Sequence, residues 1–320
     1  MQALLHAIAQ MPYSTEATRL FHGRGGRYPG CEHLTLDIYP PVLVLTSFAP
    51  MEESALQTIG QALQQRWNDI APPDTSLNWV FQTRDVGGKA VTQIMAGTVP
   101  QPHIVREGES QYVVHVERGQ NHGLFLDMAA GRAWVRKTVA QHPRGARMKV
   151  LNLFAYTCAF SVVARQAGAG QVLNMDMSKG ALSIGQHNHQ LNGVAQGASF
   201  AAHDIFTSWG KINRGGPYDL IIVDPPSYQK GSFVATKDYA RLVRRLPDLL
   251  APEGQVLLCL NAPELGTDFL HRHMQEHAPS LRFVERVANP AVFADVDEER
   301  SLKVLVYQAP ALETPSTNHQ

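Results

Sequence analysis

From Lys149 onward the chain repeats one pattern: a short unbroken apolar run, a turn of small or polar residues, then apolar residues at helical spacing. Val150, Leu151 and Leu153 form the first run. Apolar on both sides rather than alternating, it reads as a buried strand of a parallel sheet. Phe160–Ala169 follows with helical spacing, and Val172, Leu173 and Met175 make a second strand that ends in Asp176. Gly180–Leu191 predicts a helix closed by Asn192–Gly193, a pair suited to a left-handed cap. Ser199–Ala202 is a third strand before His203–Asp204, and Tyr218–Val223 a fourth before Asp224-Pro225-Pro226-Ser227-Tyr228. A helix over Lys237–Leu250, a strand over Gln255–Asn261, a helix over Thr267–Ala278 and strands over Leu281–Val287 and Leu302–Tyr307 complete the series. Strands alternating with helices predict an α/β, doubly wound, mainly parallel Rossmann-like sheet of seven strands.

The first third of the chain has a different rhythm. Residues 1–22 predict one or two short helices, with Leu4, Leu5 and Ile8 apolar and Ser14–Thr15 as a cap. GRGGRYPG from Gly23 is a glycine-rich basic loop, followed by two strands, LTLDIYP and VLVLTSF, joined at Pro40–Pro41. Glu52–Trp67 places Leu56, Ile59, Leu63 and Trp67 on one helical face. Strands at Asn78–Thr83, Ala90–Ala96 and Tyr112–Val116 complete a smaller α+β domain. Residues 119–148 then pass through a short strand, Leu124–Leu126, into a helix bearing Arg132, Arg136 and Lys137. The expected organisation is a helical segment (1–22), a small α+β domain (23–118), the main sheet domain (119–308) and a frayed tail (309–320).

Composition narrows the function classes. At 320 residues the chain can bury two cores, and 44% hydrophobic with 18% charged residues describes a globular protein. Twenty-eight basic residues balance 28 acidic ones, so a nucleic-acid site must be a local patch. Arg24 and Arg27 in the glycine-rich loop suit either phosphate contact or a solvated turn. No apolar run approaches a membrane span, and the start lacks a basic, cleavable leader, which together predict a cytoplasmic protein. Cys31, Cys158 and Cys259 are odd in number and far apart, arguing against disulfides and zinc. The 14 histidines show no evident metal-ligand spacing, and His187 and His189, two apart on a helix, face different sides. No metal is expected.

Open α/β sheets bind ligands at the carboxyl ends of their strands, beside the switch in strand order. The candidates gathered there are Phe154–Ala159, Asp176, Asp204, Asp224–Tyr228 and Cys259. Asp176 follows the first turn by about 20 residues, the offset at which an acid meets a nucleotide ribose. Met177 would lie against the adenine and Asp204 accept from its amino group. The glycines of G-x-G-x-x-G are absent and the pocket is acid-lined, which disfavours phosphate and suits S-adenosylmethionine, a phosphate-free sulfonium nucleoside. In Asp224-Pro225-Pro226-Ser227-Tyr228 the prolines fix the backbone past the strand, and Tyr228 can stack on a planar base. Methyl transfer is an in-line displacement, so rigid positioning of this kind supplies much of its rate.

Over roughly residues 20–308 the chain resembles the class I S-adenosylmethionine-dependent RNA methyltransferases, in particular the group containing the large-subunit ribosomal RNA cytosine-5 enzymes. LFHGRGGRYPGCEHLTLDIYPPVLVL resembles that group's middle domain, GQNHGLFLDMAAGR its loop before the sheet, VLNLFAYTCAFSVVA its cofactor loop, VDPPSY its fourth-strand motif and EERSLKVLVYQ its last strand. The resemblance implies cofactor contacts from Phe154, Ala155, Tyr156, Thr157, Asp176, Met177, Ser178, Asp204, Ile205 and Asp224. It implies substrate contacts from Phe125, Asp127, Arg132, Pro225, Pro226 and Tyr228, with RNA as partner. Cys158–Ala159 stands where the family has two glycines, and Asn121–His122 where it has Lys-Thr. The stretch ahead of Leu20 is too short for the family's N-terminal RNA-binding barrel.

The fifth strand reads LLCLNAPEL, so Cys259 matches the first cysteine of the family's paired-cysteine segment and Asn261 stands at the second. Cytosine carbon-5 needs prior thiolate addition to carbon-6. Cys259 therefore reads as the nucleophile or as core packing, with a nitrogen acceptor oriented by Asp224 in the second case. Three functions follow: an RNA base methyltransferase, a methyltransferase for a protein or small metabolite, and a non-catalytic RNA-binding relative.

Overall fold

The structure, a computed structural model, describes residues 1–84, 90–226, 228–229 and 233–312, with backbone alone at 228 and 229. The chain forms two compact units, one of Met1–Ala130 with Asn289–Ser301, the other of Gly131–Ala288 with the chain from Leu302 onward.

In the N-terminal unit α1 (Gln2–Gln10) turns Leu4 and Ile8, one helical turn apart, into the core. β1 (Thr18–His22), β2 (Leu34–Tyr39), β3 (Val42–Ser47), β4 (Asn78–Thr83) and β5 (Val91–Ala96) form one sheet in that order. Alternate residues Leu34, Leu36 and Ile38 meet Leu56, Ile59, Leu63 and Trp67 of α2 (Glu53–Ile70) in the same core. Only β3 and β4 pair in parallel, because α2 carries the chain back across the sheet between them. A hairpin of β6 (His103–Glu107) and β7 (Ser110–Val114) completes the regular structure.

Residues 18–22 are thus an edge strand, not a second helix: Arg19 is held on β2 by Asp37, Nε to Oδ1 at 2.7 Å. Ser14 caps no helix; its hydroxyl bonds Glu16. The expected strand Leu124–Leu126 is also absent. That segment turns directly into a single helical turn at Leu126–Met128, with the Leu124 carbonyl accepting from the Tyr39 hydroxyl at 3.1 Å. Residues 289–301 join this unit through Phe293, which packs on the His22 ring at 5.3 Å, and through Val296 N–H, which donates to Gly25 O at 2.9 Å.

The C-terminal unit begins within α3 (Ala129–Ala140). Its strands are β8 (Lys149–Leu153), β9 (Gln171–Asp176), β10 (Ala198–Ala202), β11 (Tyr218–Val223), β14 (Leu250–Leu260), β15 (Arg282–Arg286) and β16 (Lys303–Gln308). A short ribbon, β12 (Tyr228–Gln229) with β13 (Phe233–Val234), follows β11. The intervening helices are α4 (Ala159–Gln166), α5 (Lys179–Leu191), α6 (Trp209–Gly215), α7 (Ala235–Val243), α8 (Leu246–Leu249) and α9 (Thr267–His277).

The order across the sheet is β10-β9-β8-β11-β14-β16-β15. From β8 the chain winds outward to β10, then returns to the other side of β8 at β11. The neighbouring strands β8 and β11 therefore flank the switch point. β16 alone runs against the rest, pairing antiparallel with β14 and β15. The helix expected over 237–250 is two helices broken near Arg244, and Leu250 already belongs to β14. The start of the tail is not frayed: Glu253 N–H donates to Pro310 O at 3.1 Å and Ala309 N–H to Gly254 O at 2.8 Å. Residues 313–320 lie outside the described residues.

Candidate active site

Strand register places the candidate residues in a row. Leu153 of β8 pairs with Met175 of β9 and with Val223 of β11, and Val223 pairs with Leu258 of β14. The residues that follow are Asp176, the last of β9, Phe154 and Asp224, each one past its strand, and Cys259, the last but one of β14, so these four follow one row of register near the carboxyl edge of adjacent strands spaced by about 4.8 Å. Asp176 and Asp224 flank the turn after β8 at the switch point, where open α/β sheets place their ligands.

That turn has an unusual backbone. Phe154, Tyr156 and Cys158 have φ of 57°, 47° and 62°, alternate residues in the left-handed region that costs an L side chain about 1–2 kcal/mol each. Such strain persists only where surroundings impose it, and here Asp176 and β9 do so. Tyr156 N–H donates to Asp176 Oδ2 at 2.8 Å, and Ala155 N–H to Met175 O at 3.0 Å. The other carboxylate oxygen, Oδ1, accepts from Ser178 N–H at 2.8 Å, and the Ser178 hydroxyl caps α5 by accepting from Ala181 N–H at 3.1 Å. Asp176 thus fastens the turn to the start of α5, and each oxygen has a further lone pair for a ligand hydroxyl.

Beneath the turn lies a buried polar chain that sequence reading missed. Asn188 donates to Thr157 O at 3.0 Å. His189 Nδ1 lies 2.7 Å from Gly185 O, so it carries the ring proton. Nε2 therefore accepts from the Ser161 hydroxyl at 2.8 Å. Ser161 Oγ accepts from Asn174 Nδ2 at 3.0 Å, and Asn174 Oδ1 from Asn152 Nδ2 at 2.9 Å. Burial holds the His189 pKa below the usual histidine value, keeping the ring neutral as this chain requires. The signal for it was polar residues at core positions of predicted strands and helices, Asn152, Asn174 and Ser161.

Asp204 Oδ1 accepts from Phe206 N–H at 2.8 Å and so organises the turn after β10, with Ile205 buried under it. Met177 is 51% exposed beside Asp176, available as a flat apolar contact. Ala155 and Thr157 are buried in the turn. After β11, Asp224 and Pro226 are half-buried and Pro225 is buried. Ser227 and the Tyr228 side chain lie outside what is described. Cys259 is 1% exposed, and its carbonyl accepts from the Tyr239 hydroxyl. Phe125 and Asp127 belong to the N-terminal unit and Arg132 to the C-terminal one. Arg132 is buried.

Aromatic residues from four segments gather beside the turn: Phe154 meets Phe233 at 5.2 Å, Phe233 meets Tyr239 at 5.4 Å, and Phe206 meets Trp209 at 6.2 Å. Arg241 lies over the Phe206 ring at 4.2 Å. Scattered in sequence, these residues form no motif. The histidine spacing also needs correcting: His273, Glu276 and His277 on α9 bring their donor atoms within 4.8 Å of one another.

A seven-stranded, mainly parallel sheet with one antiparallel strand, switched between β8 and β11 and edged by carboxylates, defines the Rossmann-like methyltransferase class. The chain belongs to the S-adenosylmethionine-dependent methyltransferase family, whose model matches residues 18–308. It is similar to ribosomal RNA large subunit methyltransferase I of Aeromonas hydrophila, 30% identical over 241 residues, which are 71% of this chain and 57% of that protein. It is similar also to ribosomal RNA large subunit methyltransferase K/L of Psychrobacter, 33% identical over 195 residues, 58% of this chain and 23% of that one. The chain therefore spans little more than half the length of the first relative. Among solved structures, SMU.776, assigned as a methyltransferase and complexed with SAH, has a TM-score of 0.79 at 21% identity, covering 96% of this chain and 81% of its own. The complex of aTrm5 with tRNALeu has a TM-score of 0.60 at 14% identity, covering 86% and 71%. At these identities the two structures speak for the fold alone.

Among the described residues no helix is long and apolar enough to cross a membrane.

Proposed function

We propose that this chain transfers a methyl group from S-adenosylmethionine to a base in ribosomal RNA. The observation that carries the reading is the row Asp176, Phe154, Asp224 and Cys259 across four adjacent strands, together with relatives named as ribosomal RNA methyltransferases. The bound cofactor supplies an electrophilic methyl on a sulfonium centre.

The residues of the row divide the work. Asp176, already fixed by Tyr156 and Ser178 N–H groups, accepts from the ribose hydroxyls, with Met177 along the adenine and Asp204 and Ile205 at its far edge. The strained turn 154–158 brings backbone close to the nucleoside without phosphate-binding glycines. Asp224 and the rigid Pro225–Pro226 carbonyls aim the acceptor atom, and Tyr228 holds the base out of its stack. Phe125, exposed, and Asp127, half-buried, both of the N-terminal unit, are our proposed contacts for the RNA strand, whereas buried Arg132 of the C-terminal unit suits a supporting place behind the surface. In the N-terminal unit Arg24, exposed and stacked over Phe48 at 3.9 Å, is suited to an RNA phosphate.

The burial of Cys259 favours a second version of the same step. A thiol 1% exposed inside β14 supports a reading of Cys259 as packing, and the acceptor is then a ring or exocyclic nitrogen that attacks directly while Asp224 orients it. Transfer of tritium from labelled cofactor to RNA, protein and metabolite fractions tests the substrate class. Label confined to protein or metabolites overturns the RNA reading. Cys259→Ala distinguishes the two versions: abolished transfer assigns the thiol, whereas retained transfer with loss in Asp224→Asn assigns the direct attack.

A further inference from the structure

We propose that the half-buried flank of α9 holds a Zn2+-class divalent cation between His273, Glu276 and His277. Positions i, i+3 and i+4 of a helix share one face, and the three donor atoms lie within 4.8 Å of one another. Two neutral imidazoles and a carboxylate are the ligand set that a borderline transition ion takes, with solvent completing the shell.

A separate observation marks the place as incomplete. Both ring nitrogens of His273 are shielded from solvent and have no hydrogen-bond partner, a condition buried polar atoms rarely tolerate. The ring is fixed by Phe269, edge-on at 4.4 Å, and lies nearly parallel to His277, 21° and 5.8 Å away. His277 Nε2 stands 3.8 Å from Glu276 Oε2.

On the other side of the same ring, Arg244 Nε approaches His277 Nδ1 at 3.5 Å. A ring that ligates through Nε2 keeps its proton on Nδ1 and cannot accept from Arg244. Arg244 therefore competes with the cation, by that hydrogen bond and by its charge. An ion bound here ties the last turn of α9 together, on a helix whose Phe269, Leu270 and Met274 face the core of the unit.

The test is calorimetric titration of the full untagged chain with Zn2+ alone, with visible absorption of Co2+ as a second readout. One equivalent binds. Glu276→Gln, at a side chain 63% exposed and so without folding consequence, weakens it at least about tenfold, as does His277→Asn, whereas Arg244→Gln tightens it. No saturable binding below about 1 mM, or binding that Glu276→Gln and His277→Asn leave unchanged, overturns the proposal. The reading does not depend on methyl transfer, which the same variants leave at the parent rate.

Discussion

Gly185 of α5 leaves room for the sulfur of Cys158: a Cβ built on Gly185 would stand 2.5 Å from Cys158 Sγ and 3.0 Å from its Cβ. Cys158 takes a left-handed backbone, φ 62°, where glycine is the usual occupant. Its side chain then needs space, and Gly185 provides it. Gly185→Ala should destabilise the chain by about 1–3 kcal/mol through overpacking and weaken cofactor binding. Cys158→Gly in the same chain should restore most of both. A double-mutant cycle by urea unfolding and cofactor titration checks this coupling; additive effects would show that the two sites are independent.

Asp176→Asn offers one acceptor oxygen where the carboxylate offers two, so either Tyr156 or Ser178 N–H loses its partner. With the charge gone as well, cofactor affinity should fall at least about tenfold, equivalent to about 1.4 kcal/mol. Far-ultraviolet circular dichroism should be unchanged. Calorimetric titration of the variant measures the effect.

Ser161→Ala breaks the polar chain at its centre, leaving His189 Nε2 without its donor and Asn174 Nδ2 without Ser161 Oγ. Such orphaned buried groups cost about 1–3 kcal/mol. The loss should appear in unfolding midpoints, and in cofactor affinity as well, since Asn188 on the same helix holds the Thr157 carbonyl.

Acid should loosen the N-terminal unit first. Burial, followed by the nearby Arg84 charge, pushes the His122 pKa down to about 4; burial, then Arg19, does the same for His22. Both stay neutral in the folded chain while the unfolded chain takes up protons near 6.5. Stability present above that value is therefore lost as pH falls toward 4. For the buried His122 the loss between about pH 7.5 and about pH 5 is about 2 kcal/mol; half-buried His22 contributes less. His122→Asn should flatten the slope of urea midpoint against pH. An unchanged slope would place the effect elsewhere.

Much of the sheet was legible because its central strands leave no other reading. Val150–Leu153 and Tyr218–Val223 are covered on both faces, so their apolar runs are continuous. β1 escaped because its edge position leaves four of five residues only partly covered, erasing the alternation that betrays a half-buried strand. Leu124 and Leu126 are apolar because the turn they form is buried, and burial alone does not distinguish a turn from a strand. Asp176, Asp204 and Asp224 of the candidate site were visible because they stand where apolar runs stop. The Asn152–Asn174–Ser161–His189 chain did not, since its members meet only once two strands and two helices have packed.

Residues 289–301, spliced between the last two strands of one unit yet folded with the other, mean that neither half is a single continuous length of polypeptide. A cut after Ala130 would deprive the first half of Phe293 and of the Val296 amide on Gly25. It would also leave the second half carrying a loop with nothing to fold upon. Separating them cleanly takes three breaks and a new bridge from Ala288 to Leu302, and synthesis must reach Ser301 before the earlier half has all its parts.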